Sequence, residues 1–195
     1  MNDMTFGAVL LGRPCVILSK ITSGRITMAN RAQPDYTEIG VTVITSEFQV
    51  KGKLRILGMI GTFLNDEQKP TLVIYGAEMV QMEANSRIRV TKDEVVISKS
   101  AAQVVAFDTL PQQGSIALLP RTESLAMYLD HFALSAKFYM GQDARINDFA
   151  DTSLQQFLIA SDIKFYPTFQ AKPGLVQTAP MGVIHKAAIR MYHRP

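Results

Sequence analysis

Tryptophan is absent from the 195 residues, and cysteine occurs only once. Cys15 therefore has no partner for an internal disulfide, and it lies between Pro14 and an apolar run without a neighbouring base. A cysteine in such a setting is usually a small buried apolar residue and not a reactive thiol. Because disulfides are rare in reducing compartments, this usage fits a cytoplasmic protein.

Histidine is also scarce, and this limits metal binding. The chain contains His131, His185 and His193, and its single cysteine is far from them in sequence. His185 and His193 are an even number of residues apart and could share one face of a strand. However, Lys186 and Arg190 lie between them and would repel a cation. We therefore expect no metal and no other cofactor.

Motifs of catalysis and of membrane insertion are missing as well. The sequence has no Gly-x-Ser-x-Gly, no paired cysteine and histidine, and no Ser-x-x-Lys in a helical setting. Gly58-Met59-Ile60-Gly61 lacks the third glycine and the Lys-Ser/Thr pair of a phosphate loop. The apolar run Phe6 to Leu11 ends before Arg13, is too short to span a membrane and lacks the features of a secretory signal. We predict no enzyme, no small-molecule substrate and no membrane association.

Apolar residues, in contrast, are plentiful. They make up 47% of the chain, which is enough to bury a core in one domain or in two smaller ones. Charged residues are 19%, and 20 Lys and Arg against 17 Asp and Glu leave a net charge of +3. This excess is too mild to imply a partner by itself.

An apolar pattern occurs twice, at Val41–Glu78 and again at Leu125–Lys164. In each copy the apolar residues alternate, change phase, and then alternate again from Phe48 or Phe132. A continuous strand would aim the two series at opposite faces, so the phase change predicts a turn or bulge, at Thr45-Ser46-Glu47 in the first copy. The chain is therefore predicted to contain one small β unit twice.

Each copy is predicted to continue with a short helical turn, a third strand and a closing hairpin. A fragment near the start of the chain, Val16–Lys20 with Ile26–Met28, looks like a third copy of the closing hairpin alone. A lone hairpin cannot bury its apolar face, so it should pack on one of the units or on another chain. The predicted elements of the two copies are helical turns at Thr62–Asp66 and Asn147–Asp151, third strands at Leu72–Tyr75 and Phe157–Ala160 that end in Gly76-Ala77-Glu78 and Asp162-Ile163-Lys164, and hairpin turns at Lys92-Asp93 and near Ala179-Pro180.

The predicted fold is all-β, with two tandem small barrels or strongly bent sheets. The segment Asp108–Ser115, with Pro111 and Gly114, has linker composition and separates the units. Units of this size leave open strand edges, and pairing those edges between chains would cover backbone groups, so we expect a homo-oligomer. The predicted domains are an N-terminal hairpin with its connection at residues 1–36, a first β unit at 37–110 and a second at 111–195.

Sequence phrases in both copies resemble the Sm-like small β-barrel family. Phe48-x-Val50-x-Gly52-x-Leu54 with Leu72-x-Ile74-x-Gly76-Ala77-Glu78 is similar to the first motif of that family. Ile97-Ser98-Lys99 and Ile184-His185-Lys186-Ala187-Ala188-Ile189 are similar to the second motif. The strand order also resembles that of an uncharacterised bacterial family of tandem β domains. Either resemblance implies a duplicated small β domain.

The stretch from Ile184 to Ile189 is similar to Tyr-Lys-His-Ala-Ile in the bacterial RNA chaperone of the Sm-like family. In that chaperone the stretch takes part in RNA contact. The resemblance implies that Lys99 and Lys186, with Ser98 and His185 beside them, face the nucleic acid. Basic side chains gathered on one face would bind phosphates by releasing counterions. The candidate nucleic-acid-binding residues are Arg87, Arg89, Lys92, Lys99, His185, Lys186 and Arg190.

Three functions remain open on these grounds. The favoured one is a non-enzymatic, self-associating binding or scaffold module. The second is an Sm-like RNA-binding protein, although few aromatic residues accompany the basic ones for base stacking, and alternating Arg87 and Arg89 also suit the wet face of a strand. The third is a small-ligand pocket between the two units.

Overall fold

A computed structural model describes residues 36–195, which contain one antiparallel sheet of ten strands. Short helices follow the second strand of each half, as the sequence predicted, at α1 (Ile60–Asn65) and α2 (Phe149–Thr152). The predicted hairpin at Val16–Lys20 and Ile26–Met28 lies outside the described residues. The strands are β1 (Thr37–Ile44), β2 (Phe48–Ile56), β3 (Thr71–Gln81), β4 (Arg89–Ser98), β5 (Val104–Phe107), β6 (Arg121–Tyr128), β7 (Phe132–Met140), β8 (Phe157–Pro167), β9 (Thr178–His185) and β10 (Met191–His193).

The order of the strands in the sheet repeats. The first half is arranged β5-β1-β2-β3-β4 and the second half β10-β6-β7-β8-β9, so each half places its last strand beside its first. The two halves join where β5 pairs with β9, and the result is one continuous sheet. The all-β class and the shared strand order are therefore confirmed. We refer to residues 37–107 and 121–193 below as the first and second repeat.

The predicted turn between the first two strands of each repeat is present. In the first repeat the backbone N–H of Thr45 donates to Phe48 O at 2.9 Å, and the Phe48 N–H donates to Thr45 Oγ1 at 3.0 Å. In the second repeat the Leu129 N–H donates to Phe132 O at 2.7 Å. These tight turns separate the two apolar series, which explains the change of phase in the sequence.

The third strand of each repeat is longer than predicted, because it contains a bulge. Pairing shifts register around Gly76 in β3 and around Asp162 in β8, and both residues adopt a left-handed conformation, with φ of 56° and 53°. Glycine tolerates that conformation freely, and aspartate tolerates it better than most residues. The predicted strands ended in Gly76-Ala77-Glu78 and Asp162-Ile163-Lys164, whereas the observed strands continue past the bulge to Gln81 and Pro167.

The predicted hairpin turns at Lys92-Asp93 and near Ala179-Pro180 are also wrong. Lys92 lies inside β4 and pairs with Ala77 of β3. Ala179 lies inside β9 and pairs with Ile163 of β8. Both sites lie just beyond the bulge of the neighbouring strand, where the sheet bends without a break. Lys92 and Asp93, which suggested a turn in the first copy, are exposed side chains of the edge strand β4, whereas Ala179 is buried in the interior strand β9.

Two hydrophobic cores occupy opposite faces of the central strands. Alternate residues of β5 enter different cores: Val105 and Phe107 pack in the first, and Val104 and Ala106 pack in the second. The same alternation holds in β8 over residues 157–160 and in β9 over residues 181–184, so these parts of the two strands are buried on both faces. The first repeat therefore covers the outer face of β8 and β9.

Candidate interaction edges

Two strands of the sheet have one partner strand each within residues 36–195: β4 pairs only with β3, and β10 pairs only with β6. We call the sides of β4 and β10 that are unpaired over this range the free edges. A free edge exposes backbone N–H and C=O groups that can pair with another chain. These edges are the candidate functional surface, and the internal β5–β9 pairing shows how such an edge is filled in this molecule.

The internal junction is an antiparallel pairing between the repeats. Val104 lies opposite Ile184, and Phe107 lies opposite Met181. At one end the His185 N–H donates to Gln103 O at 2.8 Å. The paired side chains are buried, so the junction combines a backbone ladder with two apolar cores.

Each strand of the junction has a counterpart at a free edge. Ile184 of β9 pairs with Leu158 as Ile97 of β4 pairs with Leu72. The Lys186 N–H donates to Gln156 O at 2.7 Å, as the Lys99 N–H donates to Pro70 O at 2.8 Å. By this register β4 corresponds to β9.

The strand β10 corresponds in the same way to β5. Val105 pairs with Val43, and Tyr192 pairs with the equivalent Met127. At the start of each strand, the Gln103 N–H donates to Ile44 O at 2.8 Å, and the Arg190 N–H donates to Tyr128 O at 2.9 Å. The free edges β4 and β10 are thus the two strands that would meet if the junction were repeated between chains.

Apolar side chains that are buried at the junction have exposed counterparts at the free edges. Val183 is 1% exposed, whereas the equivalent Val96 of β4 is 58% exposed. Val104 is 0% exposed, whereas the equivalent Met191 of β10 is 59% exposed. Sequence reasoning missed Val96 and Met191, although aligning the last two strands of the repeats would have shown them.

The backbone donors of both edges point outward at known positions. Because the Lys99 N–H faces β3, alternation along the strand turns the N–H groups of Ser98 and Val96 toward the open edge. The Leu129 N–H faces β7, so alternation along β6 turns the backbone groups of Tyr128 toward its partner Met191 in β10. The next N–H along β10, that of Tyr192, therefore faces the other open edge. Each edge therefore offers unused hydrogen-bonding groups beside an exposed apolar side chain.

Three of the predicted nucleic-acid residues lie at the β4 edge. Arg89 and Lys92 are exposed on the strand, and Arg87 is exposed just before it. The Arg89 guanidinium forms an ion pair with Glu78 on β3. Among the described residues, Arg87 and Lys92 have no ion pair. The positive charges of this edge without an ion pair over this range are thus Arg87 and Lys92, and the exposed carboxylates of Asp93 and Glu94 lie on the same strand.

The two lysines that the Sm resemblance placed at the nucleic acid are used inside the protein. Lys99 is 4% exposed, and its Nζ donates to Phe63 O at 2.7 Å and to Asp66 O at 2.9 Å. Burial lowers the pKa of Lys99 from its ordinary value. The Lys186 Nζ donates to Ser153 O at 2.9 Å. Each lysine thus holds the end of the short helix in its own repeat, where cations are favourable.

The remaining predicted residues also have internal partners. His185 is half-buried at the end of β9, and its ring lies edge-on to Phe157 with 4.8 Å between centroids. Burial, followed by the charge of Lys186, lowers the pKa of His185. Arg190 forms an ion pair with Asp130 at 2.7 Å, and this contact lowers the pKa of the carboxyl. The structure does not gather these residues into one group with those at β4.

A pocket of about 330 Å³ lies between the repeats, where a small ligand was predicted as an alternative. Its lining includes Glu47 and Met82 from the first repeat and His131 and Phe169 from the second. No group of three or more His, Cys, Asp or Glu side chains within residues 36–195 is placed to hold a metal. Over the same range, no helix has the length and apolarity needed to cross a bilayer.

Comparison with known proteins gives no relative. No protein-family model, no curated protein and no solved structure matches this chain. The edges must therefore be interpreted from their own geometry.

Proposed function

We propose that this protein is a non-enzymatic, self-associating scaffold module, in which β10 of one copy pairs with β4 of the next. The observation that carries the proposal is the β5–β9 junction, where the same two kinds of strand already pair within the chain. Pairing between chains would cover the exposed Val96 and Met191 and satisfy open backbone groups. The partner is thus a second copy of this chain.

The junction also supplies the register of the proposed contact. The bond from the His185 N–H to Gln103 O becomes a bond from the Ser98 N–H of one copy to Arg190 O of the next. Val96 then lies opposite Tyr192, and Glu94 lies opposite Arg194, which places opposite charges across the pairing. Because the two edges differ, the contact is head-to-tail and continues into a closed ring or an open filament.

The proposal includes an Sm-like assignment for the repeats. What supports it is the order β5-β1-β2-β3-β4 in one repeat and its equivalent in the other, with a bulge in the third strand of each. The proposed units are small, strongly bent sheets of the tandem-barrel type, fused at the junction. Such a duplicated unit presents one edge of each kind per chain.

The test is the size of the protein in solution, measured by size-exclusion chromatography with light scattering over a range of concentrations. Val96→Pro removes an outward N–H from β4 and Tyr192→Pro removes one from β10, and proline is tolerated at such edge positions. We expect the unmodified chain to form oligomers and each variant alone to be monomeric. An equimolar mixture of the two variants should form dimers, because each retains the edge that the other lacks.

The matched controls are Val96→Ala and Tyr192→Ala, which keep the backbone donors. They should still associate, more weakly, since only apolar area is lost. Circular dichroism verifies that every variant is folded. A monomeric unmodified chain, or two variants that do not combine when mixed, would overturn the proposal.

Nucleic-acid binding is the second candidate, and the exposed Arg87 and Lys92 favour it. Both are close to the same edge, so association is measured first without RNA. If the edge also binds RNA, Arg87→Gln with Lys92→Gln should weaken binding of a short RNA and reduce its salt dependence. Lys99→Ala is a poor probe, because that lysine supports the α1 helix.

A further inference from the structure

A basic pocket lies at the far end of the second repeat. It has a volume of about 620 Å³, within the range of small-molecule sites. One wall is formed by the segment Ala144–Asn147 before α2, and the other by the end of β10 and the residues after it. Three arginines and a histidine are among the lining residues, which include no carboxylate: Arg121, Arg145, His193 and Arg194.

Arg121 is held in place at the base of this pocket. Its Nη1 donates to Gln142 O at 2.8 Å, and its Nη2 donates to Ala144 O at 2.8 Å. The Nε of Arg121 is buried and has no hydrogen-bond partner within residues 36–195. The guanidinium therefore supports the loop that carries Arg145, and one of its donors remains unused.

The positive charge of the pocket is only partly balanced. The Glu123 carboxylate lies 3.5 Å from Arg121 Nη2 and 3.7 Å from Arg194 Nη2, so it is shared between two cations. Arg145 is exposed and forms no ion pair among the described residues. A surface that concentrates arginines with one shared carboxylate favours a multiply charged anion, because guanidinium groups bind phosphate oxygens in a fork.

We propose that this pocket binds a small anion carrying phosphate groups, with Arg145 and Arg194 as its contacts and Arg121 as the positioning residue. Tyr192 helps to shape the pocket, since its hydroxyl donates to Asn147 O at 3.0 Å and links the two walls. The proposal does not depend on self-association. The pocket belongs to the second repeat alone.

The test is calorimetric titration with pyrophosphate at low salt, carried out on the full-length Val96→Pro variant. This variant is used because its blocked β4 edge keeps Glu94 of a neighbouring copy from pairing with Arg194. We expect saturable binding to one site, weakened about tenfold or more by Arg145→Gln, since a charge-assisted contact is lost. Glu123→Gln should strengthen binding, because it removes the competing carboxylate.

The matched control is Arg87→Gln, which removes the same charge from an exposed arginine outside the pocket. It should leave pyrophosphate binding unchanged. Equal weakening by Arg87→Gln and Arg145→Gln would mean attraction to net charge alone and would overturn the proposal. It would also fail if pyrophosphate shows no saturable binding, including the case in which a short RNA binds and pyrophosphate does not. Since chain association is measured separately and without anion, failure of one proposal is distinguishable from failure of the other.

Discussion

The outer face of β8 and β9 is equivalent in position to one face of β3 and β4. The two faces nevertheless differ in chemistry. On the second repeat this face is apolar and enters the first core, whereas on the first repeat it is more polar and open. The contact within the chain is thus built for permanent burial, and the proposed contact between chains for a weaker association. The equivalent pairs are Phe157 and Thr71, Ile159 and Val73, Met181 and Glu94, and Val183 and Val96.

The interiors of the two repeats differ in side-chain size at one contact. A side chain at Gly52 would lie 2.6 Å from Ile74 Cγ2 and 2.7 Å from the Tyr75 backbone oxygen, so the first repeat combines a glycine with a large neighbour. The second repeat has alanine at both equivalent positions, Ala136 and Ala160. The second repeat thus has room for a methyl group where the first does not, because its neighbour is smaller.

The largest expected effect comes from breaking the internal junction. Phe157→Ala would empty a fully buried site in the first core and should lower the free energy of unfolding by about 3–5 kcal/mol. Thr71→Ala, at the equivalent exposed position, should change it by no more than about 0.5 kcal/mol. Urea denaturation measures both. Similar losses in the two variants would mean that the two faces are buried alike.

A smaller effect tests this contact inside the repeats. Gly52→Ala should destabilise the protein by about 1–3 kcal/mol, because the new methyl group meets Ile74 Cγ2 and the Tyr75 carbonyl. Adding Ile74→Ala removes the first of these two contacts, so the double variant should be more stable than the sum of the two losses predicts. Ala136→Gly is the reverse change in the second repeat and should cost only about 0.5–1 kcal/mol, the usual loss for glycine in a strand. Strictly additive losses would mean that Ile74 does not limit the space at Gly52.

The smallest effect is a pH dependence confined to the junction. Burial lowers the pKa of His185 from 6.5, so the unfolded chain takes up a proton more readily than the folded one. The contribution of His185 to stability is present above pH 6.5 and is lost as the pH falls toward the lower folded pKa. Ser98, which is equivalent to His185 in the first repeat, has no group that titrates in this range, so the free edge makes no matching contribution.

His185→Gln should therefore flatten the change in unfolding free energy between about pH 7.5 and about pH 5.5, the interval in which histidine changes charge. Denaturant unfolding of the unmodified chain and the variant at both pH values measures this. Identical slopes would show that His185 protonates equally in both states.

Much of the fold could be predicted from the residues alone. The duplication, the turn before Phe48 and the all-β class follow from periodicity, because side chains alternate strictly along a strand. The turn at Lys92-Asp93 was wrong because polar residues on an exposed strand resemble those of a turn, and the turn near Ala179-Pro180 was wrong because proline also occurs near the start of a strand. The bulges at Gly76 and Asp162 depend on how three strands fit together, which no local pattern specifies.

The candidate site was less predictable. Lys99 and Lys186 were expected to face a nucleic acid, but their contacts with helix carbonyls depend on segments distant in the chain. The edge formed by β4 was expected only in general terms, from the small size of the units. The exposure of Val96 at this edge gains its meaning from the tertiary structure, because the equivalent Val183 is buried at the junction.

The sequence by itself determined that one small β unit is written twice, because a strand has a period of two and a copied change of phase is local information. Only the tertiary structure decided which edges are joined and which are free. Edge pairing depends on contacts between residues far apart in the chain, such as Val104 with Ile184. Apolar residues with the same local pattern can therefore lie in a core in one repeat and at the surface in the other.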